Sequence, residues 1–208
     1  MSVNLAYVNR SVDAAFALVV RDRRAWDKFD ITVEGFYRSF AAFFVVLPMN
    51  IIADLIAAQV QTAQRLADGQ PALEQAYGMG DAIFSTVALA LQWTIFPIAM
   101  IVALRFLGLA HRYAPLIIAH NWGTIVIYLF NMPAFLLFAA GIISADDAIA
   151  LNLITLVFTL YYRYYTAETA LDAGWSVAAS TAMLGFVLQI YFSLGLRMTA
   201  GLWLPATQ

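Results

Sequence analysis

Six polar side chains stand inside otherwise apolar stretches of this chain and could do chemistry there: Asn50, Asp54, Gln92, His120, Asn131 and Gln189. Asn50 and Asp54 are four residues apart, which on a helix puts an amide and a carboxylate on one face. A charge at the centre of a membrane helix costs about 2.5–3.5 kcal/mol on insertion scales, so an ionisable group there is a functional hypothesis by default. Asp54 would pass protons or hold a solute. The competing reading is a carboxylate that reaches the interface, since Gln59 and Gln61 follow it closely. Asn50, Asp54, Gln92, Asn131 and Gln189 fall at similar depth and form a loose polar layer. Interhelical hydrogen bonding explains such a layer most simply; a polar cavity or solute path open to the outside is the sharper alternative.

His120 lies about a turn and a half into its run and would accept a proton or ligate a metal. The chain has only one other histidine, His111, and no cysteine. Two histidines without a defined carboxylate partner make a poor metal site, and a haem iron usually takes a second axial ligand. His120 is therefore expected to be a packing residue. Disulfides, thiolate catalysis and cysteine-based metal sites are excluded. No Gly-rich phosphate loop, HExxH helix or GxSxG elbow is present. No cofactor is expected; an intramembrane enzyme would need a second catalytic group beside His120 or Asp54, and the sequence shows none.

The elements that must position these residues are five apolar runs: Ser39–Val60, Ala82–Leu104, Pro115–Ile142, Ala148–Tyr162 and Trp175–Leu196. The chain has 208 residues, 63% hydrophobic and 12% charged, against about 25% charged in soluble domains. A bilayer core about 30 Å thick needs about 20 helical residues. Continuous runs exclude the alternation of a membrane barrel. The sequence thus predicts an all-α polytopic membrane protein with five transmembrane helices over 35–208, preceded over 1–34 by a cytoplasmic tail and an amphipathic interfacial helix. Pro48, Pro97 and Pro133 fall mid-span, where they permit kinks. Small residues recur at four-residue spacing (Ala53/Ala57, Ser176/Ser180, Ala178/Ala182) and allow close helix contact.

Charge gives the orientation. With the amino terminus cytoplasmic, nine of the eleven basic residues face the cytoplasm: Arg10, Arg21, Arg23, Arg24, Lys28, Arg38, Arg105, Arg112 and Arg163. Only Arg65 and Arg197 fall outside, as the positive-inside rule requires. The carboxyl terminus is then periplasmic. Met1–Asn9 reads as a loose tail and Ser11–Asp30 as one surface helix. Val12, Phe16, Val19 and Val20 lie on its apolar side, with Arg21, Arg24 and Lys28 opposite. Arg21, Arg23, Arg24, Lys28 and Arg38 form a candidate site for anionic lipid headgroups or a protein partner. Arg163, within Tyr161–Tyr165, reads as a snorkelling arginine in an aromatic belt. Pro71 reads as the start of a short helix toward Ala76 in an external loop over Gln59–Gly80.

Two stretches carry a family resemblance: Val33-Glu34-Gly35-Phe36-Tyr37-Arg38-Ser39-Phe40, and Tyr113-Ala114-Pro115 followed by Ala119-His120-Asn121-Trp122. With five spans, amino terminus inside and carboxyl terminus outside, the chain resembles the Yip1-like membrane proteins, in particular their uncharacterised bacterial relatives, often loosely labelled transporters. The resemblance implies a bacterial inner membrane and supplies no catalytic residues. Eukaryotic members have a longer amino-terminal region and partners in membrane traffic, so that role does not carry over.

The expected function is non-enzymatic: an accessory or scaffold subunit of a larger membrane complex, or a membrane organiser, acting through lipids and a protein partner or homo-oligomer. The alternative is a small-solute transporter or channel using the polar layer. Five spans do not divide into two inverted halves, which counts against the commonest transporter plan; a homodimer restores the symmetry. A net charge of −2 gives no reason to expect nucleic acid.

Overall fold

Helices begin in this chain where an oxygen-bearing side chain meets the first free amides. Asn4 Oδ1 accepts from the Tyr7 N–H at 2.8 Å, starting α1 (Leu5–Val19). Thr32 Oγ1 accepts from the Gly35 N–H at 3.0 Å, starting α3 (Val33–Ser39). Ser144 and Asp147 cap each other's amides, each at 3.1 Å, and open α7 (Ala145–Leu171). Such caps satisfy donors the helix itself cannot use. Helices end as systematically. Gly108 follows α5 (Met79–Phe106) and Gly141 follows α6 (Tyr113–Ala139), both at positive φ. The next amide turns back to the last turn, Leu109 N–H to Leu104 O and Ile142 N–H to Leu137 O, a closure that favours glycine.

The computed structural model describes residues 3–72 and 77–203, with side chains through 192. The remaining elements are α2 (Ala25–Lys28), α4 (Ala42–Ala67) and α8 (Gly174–Trp203). The described residues contain no strand. Five segments are long and apolar enough to cross a membrane: Val33–Ala67, Met79–Phe106, Ala110–Ala139, Ala145–Leu171 and Gly174–Phe192. The chain is therefore an all-helical integral membrane protein.

Helices α4, α5, α8 and α7 neighbour one another in that order and surround α6. Helix α6 is the most buried: from Leu116 to Ile127 every residue except His120 is buried. It packs closely on α4 and α7, lightly on α5 and scarcely on α8. That uneven packing leaves space on one side of α6, where the site lies.

The amino-terminal segment departs from its sequence reading. Residues from Leu5 onward are helical, so 5–9 do not form the expected loose tail; residues 1 and 2 lie outside the described residues. The expected single helix over Ser11–Asp30 breaks at Arg21, which has φ 59. The face turned to the bundle is Tyr7, Ser11, Ala14, Ala15 and Leu18, whereas Phe16 and Val20 are exposed. Small residues explain the choice, because they let α1 approach closely. Tyr162 Oη donates to Ala15 O at 3.0 Å, and the Tyr7 ring meets Trp122 edge-on at 5.5 Å.

The loop after the first span is shorter than Gln59–Gly80, because α4 runs to Ala67 and α5 starts at Met79. The short helix expected from Pro71 toward Ala76 falls on 73–76, outside the described residues, and the Arg197 side chain lies outside them too.

Candidate functional site

Asn50 and Asp54 do share a face of α4, and that face meets α5 and α6. Asn50 Nδ2 donates to Asp54 Oδ2 at 3.0 Å and to Ser85 Oγ at 2.6 Å. Ser85 Oγ also donates to Asp54 Oδ2. Tyr128 Oη donates to Asn50 Oδ1 at 2.6 Å. Asn50 is thus used at both ends of its amide, and Asp54 receives two donors. The sequence reading missed Ser85 and Tyr128. A serine in an apolar run carries no signal, and Tyr128 reads as one more apolar aromatic. Their only sequence signal is a hydroxyl at a depth that matches the Asn50–Asp54 pair. Tyr77, ahead of α5, lies near this cluster; burial, and then the Asp54 charge, raises its phenol above the ordinary value.

The other members of the expected layer do not join this cluster. Gln92 and Gln189 line a cavity of ≈ 50 Å³ on the α5–α8 side of α6, together with Trp93, His120, Tyr128 and Arg163. Asn131 is half-buried, lines neither this cavity nor the next, and makes no side-chain hydrogen bond among the described residues. The single layer is therefore two groups, joined by Tyr128, which bonds Asn50 and also lines the cavity.

Arg163 is not a snorkelling arginine. Helix α7 continues eight residues beyond it to Leu171, about 12 Å of helix, and the side chain turns into the bundle. Its Nη2 donates to Gln189 Oε1 at 3.2 Å. Its Nε is buried without a partner. Among the described residues no carboxylate forms an ion pair with it. His120 stacks on Phe96, ring centroids 3.9 Å apart. A second cavity of ≈ 20 Å³ lies nearer the end where α6 begins, beside Tyr162, Thr166 and Thr181. Phe96, His120, Arg163 and Gly185 line both cavities and so form the wall between them. A Cβ on Gly185 would sit 3.0 Å from the Phe96 ring and 3.5 Å from Arg163 Nη1. Glycine lets α8 close against this wall.

The basic residues near the amino terminus divide by partner. Arg21 Nη2 is 3.9 Å from Glu168, and its guanidinium lies over the Tyr165 ring. Arg24 pairs with Asp22 at 3.2 Å; the hydrogen bonds from Arg24 hold the Asp22 carboxyl below its ordinary range. Arg38 pairs with Glu34 and with Asp30. Arg23 and Lys28 are exposed and have no carboxylate within ion-pair distance among the described residues.

No three His, Cys, Asp or Glu side chains converge among the described residues as a metal site would need. What the arrangement offers is binding: amides, hydroxyls, an imidazole and a guanidinium with one donor engaged, gathered inside an apolar bundle. Fold and site together define a polytopic helical membrane protein with a polar interior. No protein family, no curated protein and no solved structure matches the chain.

Proposed function

We propose that the chain is a small-solute transporter or channel of a bacterial inner membrane, with its amino terminus cytoplasmic. The solute passes along the α5–α8 side of α6. The observation that carries this reading is the pair of cavities set end to end and divided by Phe96, His120, Arg163 and Gly185. Polar groups inside a membrane protein either satisfy one another or line a path. Asn50, Asp54, Ser85 and Tyr128 satisfy one another; Gln92, His120 and Arg163 have bonding capacity to spare. The dividing wall is a gate in this reading, and Tyr128 couples it to the Asp54 cluster. The test is flux into proteoliposomes of a panel of small solutes (formate, acetate, urea and glycerol). At least one should enter faster than into empty liposomes, and Gly185→Val, which crowds the wall, should abolish the excess. No excess for any solute would remove the reading.

A second reading, the accessory or scaffold subunit of Yip1-like character, is supported by Arg23 and Lys28. Exposed and unpaired, they suit anionic headgroups or an acidic partner. Replacing both with Gln should then reduce the anionic lipid or partner protein recovered in mild detergent; unchanged recovery would count against it.

A further inference from the structure

We infer that the cavity at Arg163 is an anion site, and that its ligand presents a single carboxylate-sized anionic group. The inference rests on the transport reading for its biological use, and on the cavity alone for its chemistry.

The charge count comes first. Arginine keeps its proton at any physiological pH. Of the five N–H donors on Arg163, the structure shows one used, by Gln189 Oε1 at 3.2 Å. Nε is buried and unpartnered. The groups around it supply no negative charge: Gln92 and Gln189 are amides, Thr124 and Tyr128 hydroxyls, His120 an imidazole stacked on Phe96. Asp54 lies on the far side of Tyr128 and Asn50 and already accepts from Asn50 and Ser85. A cation within a membrane-spanning bundle without a counter-ion is costly unless something completes it. Gln189 is exposed on the surface of the bundle and Arg163 is only partly buried, so the cavity is reachable along the α5–α8 seam.

Size and shape then narrow the ligand. One water needs about 10–15 Å³ of cavity measured this way, so ≈ 50 Å³ holds a few waters or a carboxylate. A larger ligand would place only a carboxylate-sized group inside it. A planar guanidinium matches a carboxylate through two parallel N–H···O bonds, and the structure shows only one of the Arg163 donors in use. The Gln92 amide, from α5, can add a further donor. Gly185 lets α8 approach this site: a Cβ there would sit 3.0 Å from the Phe96 ring that forms its wall.

A carboxylate can come from water, as a small organic acid, or from the bilayer, as a fatty acid whose tail lies in the seam. The experiment separates them. The full chain is placed in zwitterionic nanodiscs in a low-salt buffer that contains no other carboxylate. Thermal unfolding is followed while sodium formate, neutral formamide or bilayer oleate is added. Ligand that binds only the folded state raises the midpoint. The expected result is a saturable rise of about 5 °C or more with formate, none with formamide, and no rise in Arg163→Leu. Arg163→Lys, which keeps the charge and loses the fork, should respond more weakly, and it serves if the Leu variant fails to fold. A rise with oleate alone would keep the site and assign it to a lipid acid. No rise with either, or an equal rise in the Arg163 variants, would overturn it. Formate flux in proteoliposomes separates the two proposals. Formate binding without flux of any solute in the panel leaves the anion site standing and removes the transport reading; flux without formate binding, indifferent to Arg163, does the reverse.

Discussion

At the residue scale the polar interior is built from few groups, each with a stated partner. Tyr128 holds Asn50, and Asn50 holds Asp54 and Ser85. Tyr128→Phe leaves Asn50 Oδ1 without its donor. Hydrogen bonds between membrane helices average about 0.6 kcal/mol and reach about 1.7, so the substitution should destabilise by about 0.5–2 kcal/mol in a denaturant titration of the purified protein. A value near zero would mean that water replaces the tyrosine. Gly123 makes a steric prediction. A Cβ there would lie 2.7 Å from the Tyr162 ring and 2.9 Å from its oxygen, and Tyr162 is buried with its hydroxyl on Ala15 O. Gly123→Ala should cost about 1–3 kcal/mol by overpacking; Gly80→Ala, with open space around it, should cost less than half as much. Asn50, Asp54, Gln92 and Gln189 stand out in the sequence because polar atoms in apolar runs are rare; His120, expected to pack, stacks on Phe96 and also lines both cavities. Ser85 and Tyr128 were not, since hydroxyls in such runs are common and depth alone does not pair them. Arg163 was misread because an arginine among tyrosines looks the same whether its helix stops or runs two turns further.

At the element scale the five long helices were legible, because membrane thickness dictates a run length. The amino-terminal helices were not. The buried face of α1 mixes Ser11, Ala14 and Ala15, which hydrophobicity ranks low, with Tyr7 and Leu18; of the expected apolar side, Val12 and Val19 pack on the core while Phe16 and Val20 are exposed. The two stretches behind the family resemblance meet in the structure. Asn121 Nδ2 donates to Ser39 Oγ at 2.9 Å, Phe36 packs on Tyr113, and Tyr7 Oη donates to Gly35 O at 3.3 Å. Those stretches are a packing joint between α3 and α6. A Cβ on Gly35 would lie 1.9 Å from Asp30 O, so Gly35→Ala should displace the turn before α3 and expose residues 20–32 to protease. Docking of α1 should also depend on pH. Burial raises the Tyr7 phenol above its ordinary value. A raised acid stabilises the fold below its unfolded pKa, near 10, and the contribution is lost as pH rises through the folded value. Cleavage around Arg21 should accelerate above about pH 10, and Tyr7→Phe should remove that share of the acceleration.

At the scale of the whole molecule, α6 stands inside a ring of four helices and packs tightly on two of them. The slack toward α5 and α8 opens onto both cavities, which α7 also lines through Arg163. Sequence gives the depth of each polar residue but not its azimuth around the bundle, so one expected layer became two groups with Asn131 in neither. The central claim is that the α5–α8 side of α6 is wet. The chain has no cysteine, so single cysteines can be placed at positions 92, 189 and 131 and exposed, in membranes open on both faces, to a small water-soluble thiol reagent. The account predicts that Gln92→Cys and Gln189→Cys react readily and Asn131→Cys slowly. Equal reactivity at all three positions, or none at 92 and 189, would contradict it.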